Sequence, residues 1–214
     1  MKTVVITGSA RGLGYCMARL FREVNYNVVI SDLNEDNLKN SSDELKKIES
    51  KGEVLYKVCN VTKSDDIQNL IDFCDKELGG IDIWINNAGV NQPNKAIWEL
   101  NEKEIDLVLD VDLKGAIIGS KLAMEYMSKK GTGAIYNIEG YGSNDAMMMG
   151  LSIYGTSKRG ITYFTQALAK EAEEKNTGVL VGRLSPGIMI TDFITNALGD
   201  GEKIELPEKN KESL

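Results

Sequence analysis

A short apolar strand, followed at once by a glycine-rich loop and a helical pattern, constrains this chain most. The strand is predicted at Val4–Ile6, the loop spans Thr7–Gly14, and apolar residues then recur at helical spacing from Leu13 to Val24. Glycines let a backbone approach a pyrophosphate, and a helix N-terminus supplies N–H groups. The order strand, loop, helix therefore predicts a dinucleotide-binding turn. The alternative is a glycine-rich turn that binds no ligand.

Strand and helix patterns alternate along the rest of the chain. Five further strands are predicted, at Asn27–Ser31, Glu53–Cys59, Ile81–Ile85, Gly133–Ile138 and Gly178–Leu184. The helices between them are predicted at Glu35–Lys51, Ser64–Leu78, Glu102–Lys129 and Leu151–Lys175. This alternation predicts an α/β fold with a doubly wound parallel sheet, in which ligands bind beyond the carboxyl ends of the strands.

The 214 residues suit a single Rossmann-type domain, 1–214, that ends in a short and partly charged tail, 193–214. The net charge of −7 argues against a nucleic-acid partner. No apolar run approaches 18 residues, so no membrane span is expected. The chain lacks histidine, which excludes histidine triads and histidine metal sites.

The sequence also predicts the cellular location of the protein and the oxidation state of its cysteines. The chain enters its first strand directly, with no signal segment, and a cytoplasmic location is therefore expected. Cys16, Cys59 and Cys74 show no metal-type spacing. We expect them to be reduced and buried thiols.

Two residues bear on the choice between NAD and NADP. Asp32 follows the second predicted strand, where a carboxylate can accept both ribose hydroxyls of an adenosine and repel a 2′-phosphate. Arg11 in the glycine loop favours the opposite choice, because an arginine can pair with that phosphate. Asp32 stands where the phosphate would lie, and NAD is therefore predicted. A plain helix-capping role for Asp32 is the structural alternative.

Tyr154 and Lys158 lie four residues apart on the predicted helix Leu151–Lys175 and therefore share one face. An ammonium close to a phenol favours the phenolate and lowers the pKa of the tyrosine from about 10. A tyrosine tuned in this way can exchange a proton with a substrate oxygen near neutral pH. The pair predicts a catalytic site, against the alternative of a solvated helix face.

The motifs together resemble the short-chain dehydrogenase/reductase family. The matching pieces occur in the family's order over residues 3–192, namely the loop Thr7–Gly14, the run Asn86–Gly89, Tyr154 with Lys158, and Pro186-Gly187 followed by Thr191. The resemblance implies an oxidoreductase that moves hydride between a nicotinamide and an alcohol or carbonyl carbon. Tyr154 would be the general acid/base, and Lys158 would hold the nicotinamide ribose.

The resemblance also implies a cofactor-binding set. It consists of Gly8, Ser9, Arg11, Gly12, Leu13, Gly14, Asp32, Asn60, Val61, Asn87, Ala88, Gly89, Tyr154, Lys158, Pro186, Gly187 and Thr191. Family members commonly pair through the two long helices, so a homodimer or homotetramer is expected.

Two positions depart from the family pattern. The serine expected after the fifth strand is glycine at position 140, and the nearest hydroxyl belongs to Ser143, which is assigned to the catalytic set. Asp112 replaces the asparagine that the family usually has at this position. That asparagine links a water chain to the lysine, and Asp112 could play the same role. As an anion near Lys158, it would offset part of the lysine's effect on Tyr154. The loop around Ser143 resembles the subgroup that contains plant chlorophyll b reductases.

The sequence therefore predicts an NAD(H)-dependent oxidoreductase that acts on a small-molecule carbonyl or alcohol substrate. The run Met147–Met149 is either a soft apolar wall beside the site or ordinary core. The rival hypothesis is a sensor or scaffold that binds NAD(H) without turnover. It is favoured by the missing serine, by Asp112 and by the short tail.

Overall fold

The computed structural model describes residues 1–187, which form six strands and six α-helices. The strands are β1 (Thr3–Thr7), β2 (Asn27–Asp32), β3 (Val54–Val58), β4 (Ile83–Asn86), β5 (Gly133–Ile138) and β6 (Val179–Leu184). The helices are α1 (Gly12–Glu23), α2 (Glu35–Lys46), α3 (Ser64–Leu78), α4 (Glu102–Val108), α5 (Ala116–Lys130) and α6 (Ser152–Glu174). A short 3₁₀ turn covers Ile97–Glu99. Thr191 and the tail 193–214 lie outside the described residues.

All neighbouring strands pair in parallel, in the order β3-β2-β1-β4-β5-β6. The sheet is therefore doubly wound, as the alternation of elements predicted. The strand order reverses at β1, which lies between β2 and β4, and Ile6 is in register with Ile30 on one side and Ile85 on the other. A crevice opens beyond the carboxyl ends of the strands at such a switch point.

Two hydrophobic clusters cover the two faces of the sheet. One face of β1 packs with Trp84, Ile135 and residues of α3 and α5. The other face packs with Ile30, Leu38 and residues of α1 and α2. All five residues of β1 are buried, because helices cover this central strand on both sides. The site at the end of β1 thus rests on the most rigid part of the fold.

The structure corrects two predictions made from the sequence. The single helix predicted over Glu102–Lys129 is divided by a π-helical segment, Leu109–Gly115, that joins α4 to α5. Cys59 and Cys74 are buried as expected, and burial raises the pKa of each thiol to about 12. Cys16 is exposed on α1, on the polar side of that amphipathic helix.

None of the helices within residues 1–187 combines the length and the apolar composition that crossing a membrane requires.

Candidate active site

A cavity of about 1600 Å³ opens beyond the carboxyl ends of the strands. It brings together most of the predicted site residues, namely Gly8, Arg11, Gly12, Leu13, Asp32, Asn60, Val61, Asn87, Ala88, Gly89, Ser143, Tyr154, Lys158, Pro186 and Gly187. Ligand pockets commonly enclose about 300–1000 Å³. The cavity thus has room for a dinucleotide together with a second molecule.

The glycine loop adopts a backbone that requires glycine at two points. Gly8 has φ +62°, and a Cβ on it would lie 2.6 Å from the Cα of Ala88. Gly12 has φ +59° and faces open space. The side chain of Asn87 donates to the carbonyls of Thr7 at 2.9 Å and Gly8 at 2.8 Å, which fixes the loop to the end of β4. This pre-formed cradle at the start of α1 fits a pyrophosphate.

Ser9 and Gly14 lie behind the cradle and do not line the cavity. Ser9 is fully buried, its hydroxyl donates to Ile6 O at 2.6 Å, and its backbone N–H donates to Ser31 O at 3.0 Å. A Cβ on Gly14 would lie 2.6 Å from Asn87 Nδ2, so this glycine allows α1 to pack closely against the strand ends. Both residues support the loop, and a contact of either with the cofactor stays a prediction.

Asp32 lines the cavity at the end of β2, beside the glycine loop. Its Oδ1 accepts from Leu33 N at 2.7 Å, and its Oδ2 accepts from Ala10 N at 3.4 Å. The carboxylate is therefore held in place while it faces the cavity, which fits the recognition of ribose hydroxyls. The exposed residue Arg11 lines the same part of the cavity.

Tyr154 and Lys158 occupy consecutive turns of α6 and face the other end of the cavity. Their exposed fractions are 8% and 6%. Lys158 Nζ lies 5.4 Å from the centre of the Tyr154 ring. A phenol and an ammonium are thus adjacent at the inner wall, as their spacing in the sequence predicted.

The pKa of Tyr154 differs from the sequence-based prediction. Burial raises it well above its ordinary value, and the nearby carboxylate of Asp112 raises it further. These two effects account for the direction of the pKa shift, and Lys158 does not reverse it. The prediction that Lys158 lowers this pKa is therefore wrong for the protein as described, in which Tyr154 is protonated at neutral pH.

Asp112 lies in the middle of the π-helical segment, which is packed against α6. Its Oδ1 accepts from Val90 N at 2.7 Å, and its Oδ2 lies 3.3 Å from Lys158 Nζ. The geometry at Oδ2 is that of an ion pair and not of a directed hydrogen bond. Burial raises the pKa of Asp112, while Lys158 and the Val90 N–H partly lower it. π-helical segments are often found at functional sites.

The loop after β5 brings Ser143 to the site and leaves no room for a side chain at position 140. Ser143 Oγ accepts from Gly140 N at 3.2 Å and donates to Lys158 O at 3.4 Å. A Cβ on Gly140 would lie 2.5 Å from the Tyr154 hydroxyl. Ser143, three residues further along the loop, thus contacts both Gly140 and the helix α6 that carries Tyr154. Arg159 secures this loop by donating to Ser143 O at 2.8 Å and pairing with Asp145 at 2.9 Å.

Several polar residues of the site carry no motif and were missed in the sequence. Glu139 Oε1 accepts from Thr162 Oγ1 at 2.9 Å and pairs with Arg183 at 2.8 Å, which connects β5, α6 and β6 beside the cavity. Gln92 is 1% exposed and contacts the first turn of α6. A lone glutamine in an irregular loop gives no periodic signal, so the sequence could not reveal it.

The run Met147–Met149 is not part of the core. Its side chains are 90%, 55% and 74% exposed, and Met148 and Met149 line the cavity. These flexible apolar side chains form a wall at the mouth of the cavity. Of the two interpretations of this run, the structure favours the apolar wall.

The comparisons with known proteins agree with this arrangement. A model of the short chain dehydrogenase family matches residues 2–200. A probable chlorophyll(ide) b reductase of Arabidopsis thaliana is 33% identical over 97% of this chain and 46% of its own length. A chlorophyll(ide) b reductase of Oryza sativa is 33% identical over 89% of this chain and 57% of its own length. The chain thus spans about half the length of these chloroplast relatives.

A bacterial relative and solved structures extend the comparison. An uncharacterized oxidoreductase of Bacillus subtilis is 32% identical over 99% of this chain and 75% of its own length. A short-chain type dehydrogenase/reductase from Mycobacterium marinum superposes with a TM-score of 0.84 at 27% identity, over 91% of this chain and 76% of its own. An NAD⁺-bound xylitol dehydrogenase shares the fold, with a TM-score of 0.80 at 23% identity, over 87% of this chain and 70% of its own. The chain therefore belongs to the short-chain dehydrogenase/reductase family, whose members are oxidoreductases that use NAD or NADP.

Proposed function

We propose that the protein is an NAD(H)-dependent oxidoreductase that interconverts a carbonyl compound and an alcohol, with Tyr154 as the general acid/base. The observation that carries the proposal is the placement of Tyr154 beside Lys158 at one end of a cavity whose other end holds the glycine loop and Asp32. One cavity thus combines a dinucleotide cradle with a proton-transfer group.

The proposed mechanism divides the work between the cofactor and the chain. A bound nicotinamide supplies or accepts the hydride. Gly8, Gly12 and Asp32 hold the adenosine and pyrophosphate end, and Lys158 holds the nicotinamide ribose. Tyr154 gives its proton to the carbonyl oxygen in reduction and takes it back in oxidation. The Ser143 hydroxyl stabilises the developing negative charge on that oxygen.

We propose reduction as the working direction of the reaction. Burial and Asp112 raise the pKa of Tyr154, and the phenol therefore carries its proton at neutral pH. A protonated tyrosine is ready to act as an acid toward a carbonyl oxygen, whereas oxidation requires the phenolate.

The substrate we propose is bulky and apolar. Met148 and Met149 line the mouth of the cavity, and Leu107 and Leu151 continue the apolar lining. Relatives named as chlorophyll(ide) b reductases act on a large ring system. This similarity supports a large carbonyl substrate and is consistent with the apolar wall.

A sensor that binds NAD(H) without turnover is the less favoured alternative. Asp112 supports it, because its ion pair with Lys158 weakens the activation of Tyr154. The adjacency of Tyr154 and Lys158 and the relatives named as reductases or oxidoreductases speak against it. Assembly as a homodimer or homotetramer stays a prediction of the family resemblance.

The test is the oxidation of NADH by a panel of small and bulky ketones, aldehydes and quinones. Turnover of wild-type protein is expected to be highest with bulky apolar carbonyls. Tyr154→Phe should lower it by a factor on the order of 10² to 10⁴ while NADH binding survives. Tyr126→Phe is the matched control, since the Tyr126 hydroxyl bonds Asp75 on α3, far from the cavity, and its pKa is likewise raised, to about 12. A Tyr154→Phe variant with wild-type turnover would rule out the mechanism.

A further inference from the structure

We infer that Gln92 is a positioning residue that sets the place of Tyr154 by capping helix α6 from another loop. The inference rests on the proposed function, because the residue it positions is the proposed proton donor. Gln92 is 1% exposed and comes from the segment that follows β4, some sixty positions before α6 in the sequence.

Helix α6 starts without a cap of its own. The residue at its N-cap position is Leu151, which offers no side-chain acceptor, and the first turn contains no acidic residue. The first N–H groups of a helix have no partner within the helix and need an acceptor from elsewhere. The start of α6 is exposed at Ser152 and becomes buried at Tyr154, and the loop 87–95 provides an external oxygen to the N–H groups there.

Gln92 Oε1 is that oxygen. It accepts from Ile153 N at 2.7 Å and from Tyr154 N at 3.2 Å, so one amide oxygen binds two adjacent N–H groups of the first turn. Gln92 Nε2 donates to Lys95 O at 3.4 Å and Ser152 Oγ at 3.5 Å. The opposite orientation of the amide would point an NH₂ group at two N–H donors. The polar surroundings therefore fix which end of the amide faces Tyr154.

The same loop also contacts the other parts of the site. Asn87 fixes the glycine loop through Thr7 O and Gly8 O, and Val90 N donates to Asp112 Oδ1 at 2.7 Å. Gln92 follows two residues later and holds the backbone of Tyr154 itself. A single short segment thus connects the cofactor cradle, the partner of Lys158 and the proposed proton donor. Within this segment, Gln92 is the residue that binds the backbone N–H of Tyr154.

The test separates the shape of the side chain from its acceptor oxygen. Gln92→Met keeps the length and volume but removes the acceptor, while Gln92→Glu keeps an acceptor oxygen. Gln92→Asn is a second variant that should lose the contact, because its side chain is one methylene group shorter and moves the amide oxygen away from the two N–H groups. Asn101→Ala is the matched control, since Asn101 caps α4 by accepting from Glu104 N at 3.0 Å and takes no part in the proposed chemistry.

Two readouts are measured for each variant. Amide hydrogen exchange, followed residue by residue by NMR without substrate, reports on the cap. In Gln92→Met and Gln92→Asn, the amides of Ile153 and Tyr154 should exchange about fivefold faster, the change that loss of an N-cap produces. In Gln92→Glu they should stay protected. The second readout is kcat with saturating NADH, taken at each variant's own pH optimum, because a carboxylate near Tyr154 raises its pKa.

Displacement of a catalytic group by about 1 Å can lower a rate on the order of 10²-fold. We expect a loss of kcat on that order for Gln92→Met and Gln92→Asn with little change in NADH affinity, and values near wild type for Asn101→Ala. Gln92→Glu should lose clearly less than Gln92→Met, because it keeps the acceptor oxygen and loses only the Nε2 donor to Lys95 O. The inference is overturned if Gln92→Glu loses as much as Gln92→Met, or if Gln92→Met loses no more than Asn101→Ala. It is also overturned if the two amides stay protected without the oxygen. Wild-type protein without turnover would refute the proposed function, while the exchange comparison would still decide the role of Gln92 at Tyr154.

Discussion

Lys158 Nζ lies 3.3 Å from Asp112 Oδ2, and the two side chains are only 7% and 0% exposed. Because little water reaches this pair, the anion and the cation act on each other and on Tyr154 with little screening. Asp112 neutralises the charge through which Lys158 would lower the pKa of Tyr154. The pKa of Tyr154, the proposed proton donor, therefore depends on Asp112 as well as on burial.

Replacement of Asp112 by asparagine should lower the pKa of Tyr154. The Asp112→Asn variant keeps the shape but removes the anion, which also frees the charge of Lys158 to favour the phenolate. In the oxidation direction the phenolate is the base, so the rise of kcat/KM with pH should move to lower pH by about one to two pH units. In the reduction direction, the fall of kcat/KM at high pH should also move to lower pH, because Tyr154 loses its proton at a lower pH.

The control for this experiment removes an equal charge two residues away. Asp110 pairs with Lys114 at 3.1 Å on the exposed side of the π-helical segment. Asp110→Asn should leave the pH profile unchanged, because water and salt screen that charge. If Asp112→Asn gave the same profile as Asp110→Asn, Asp112 would not set the pKa of Tyr154.

Cofactor choice gives a second prediction. Asp32 is held beside the glycine loop by Leu33 N and Ala10 N, where we expect it to accept from the ribose hydroxyls of NADH and to repel a 2′-phosphate. NADH should therefore bind more tightly than NADPH in fluorescence titrations. Asp32→Ala should narrow the difference by a factor on the order of ten, since it removes both the hydrogen bonds and the repulsion. Asp36→Ala should leave the difference in affinity unchanged, because Asp36 is an exposed residue in the first turn of α2. Tighter binding of NADPH by wild-type protein would contradict the prediction.

Two glycines beside Tyr154 should respond in opposite ways to alanine. A Cβ on Gly140 would lie 2.5 Å from the Tyr154 hydroxyl, and Gly140→Ala should therefore displace the phenol and lower kcat on the order of 10²-fold. A Cβ on Gly155 would meet only Gly142 Cα, at 3.9 Å. Gly155→Ala should keep its turnover and gain about 0.5–1 kcal/mol in stability, because alanine favours the helix. Steady-state rates and thermal melts of both variants test this prediction. Equal kcat values for the two variants would show that a side chain at position 140 does not displace the phenol of Tyr154.

The regular elements were readily predicted from the sequence. Helix α3 and strand β5 have the predicted bounds, and β2 differs by one residue. Buried parallel strands are runs of β-branched residues, and amphipathic helices repeat with a period near 3.6, so both patterns depend only on local sequence. The family resemblance then follows from the glycine loop and from Tyr154 with Lys158.

The parts of the site that were missed depend on three-dimensional packing. A π-helical segment of seven residues is too short to change the apolar period, so the break at Leu109–Gly115 was not visible. The pKa of Tyr154 depends on its burial and on Asp112, which lies 42 positions away in the sequence (154 − 112). Gln92 belongs to an irregular loop, where contacts and not periodicity determine the role of a residue.

Ser143 provides the last prediction, because we propose that its hydroxyl takes the role of the serine that the family usually carries earlier in the loop. Its Oγ is already bonded to Gly140 N at 3.2 Å and Lys158 O at 3.4 Å, the second of these a long contact. A substrate oxygen can replace this long contact as acceptor, since the Ser143 side chain lines the cavity beside Tyr154. Ser143→Ala should then lower kcat on the order of 10²-fold, the usual effect of removing one donor to a developing oxyanion, and leave KM nearly unchanged.

The Ser143→Ala experiment needs a control for the loop itself, because the serine also holds Gly140 N. Arg159 stabilises the same loop through Ser143 O and Asp145, without a donor aimed at the substrate oxygen. Arg159→Met removes those contacts but keeps most of the apolar stem. If Ser143 acts only on loop structure, the two variants should lose kcat and KM together and to a similar extent. If it stabilises charge in the transition state, Ser143→Ala alone should show a loss confined to kcat, and this loss should grow with substrates whose carbonyl is harder to reduce.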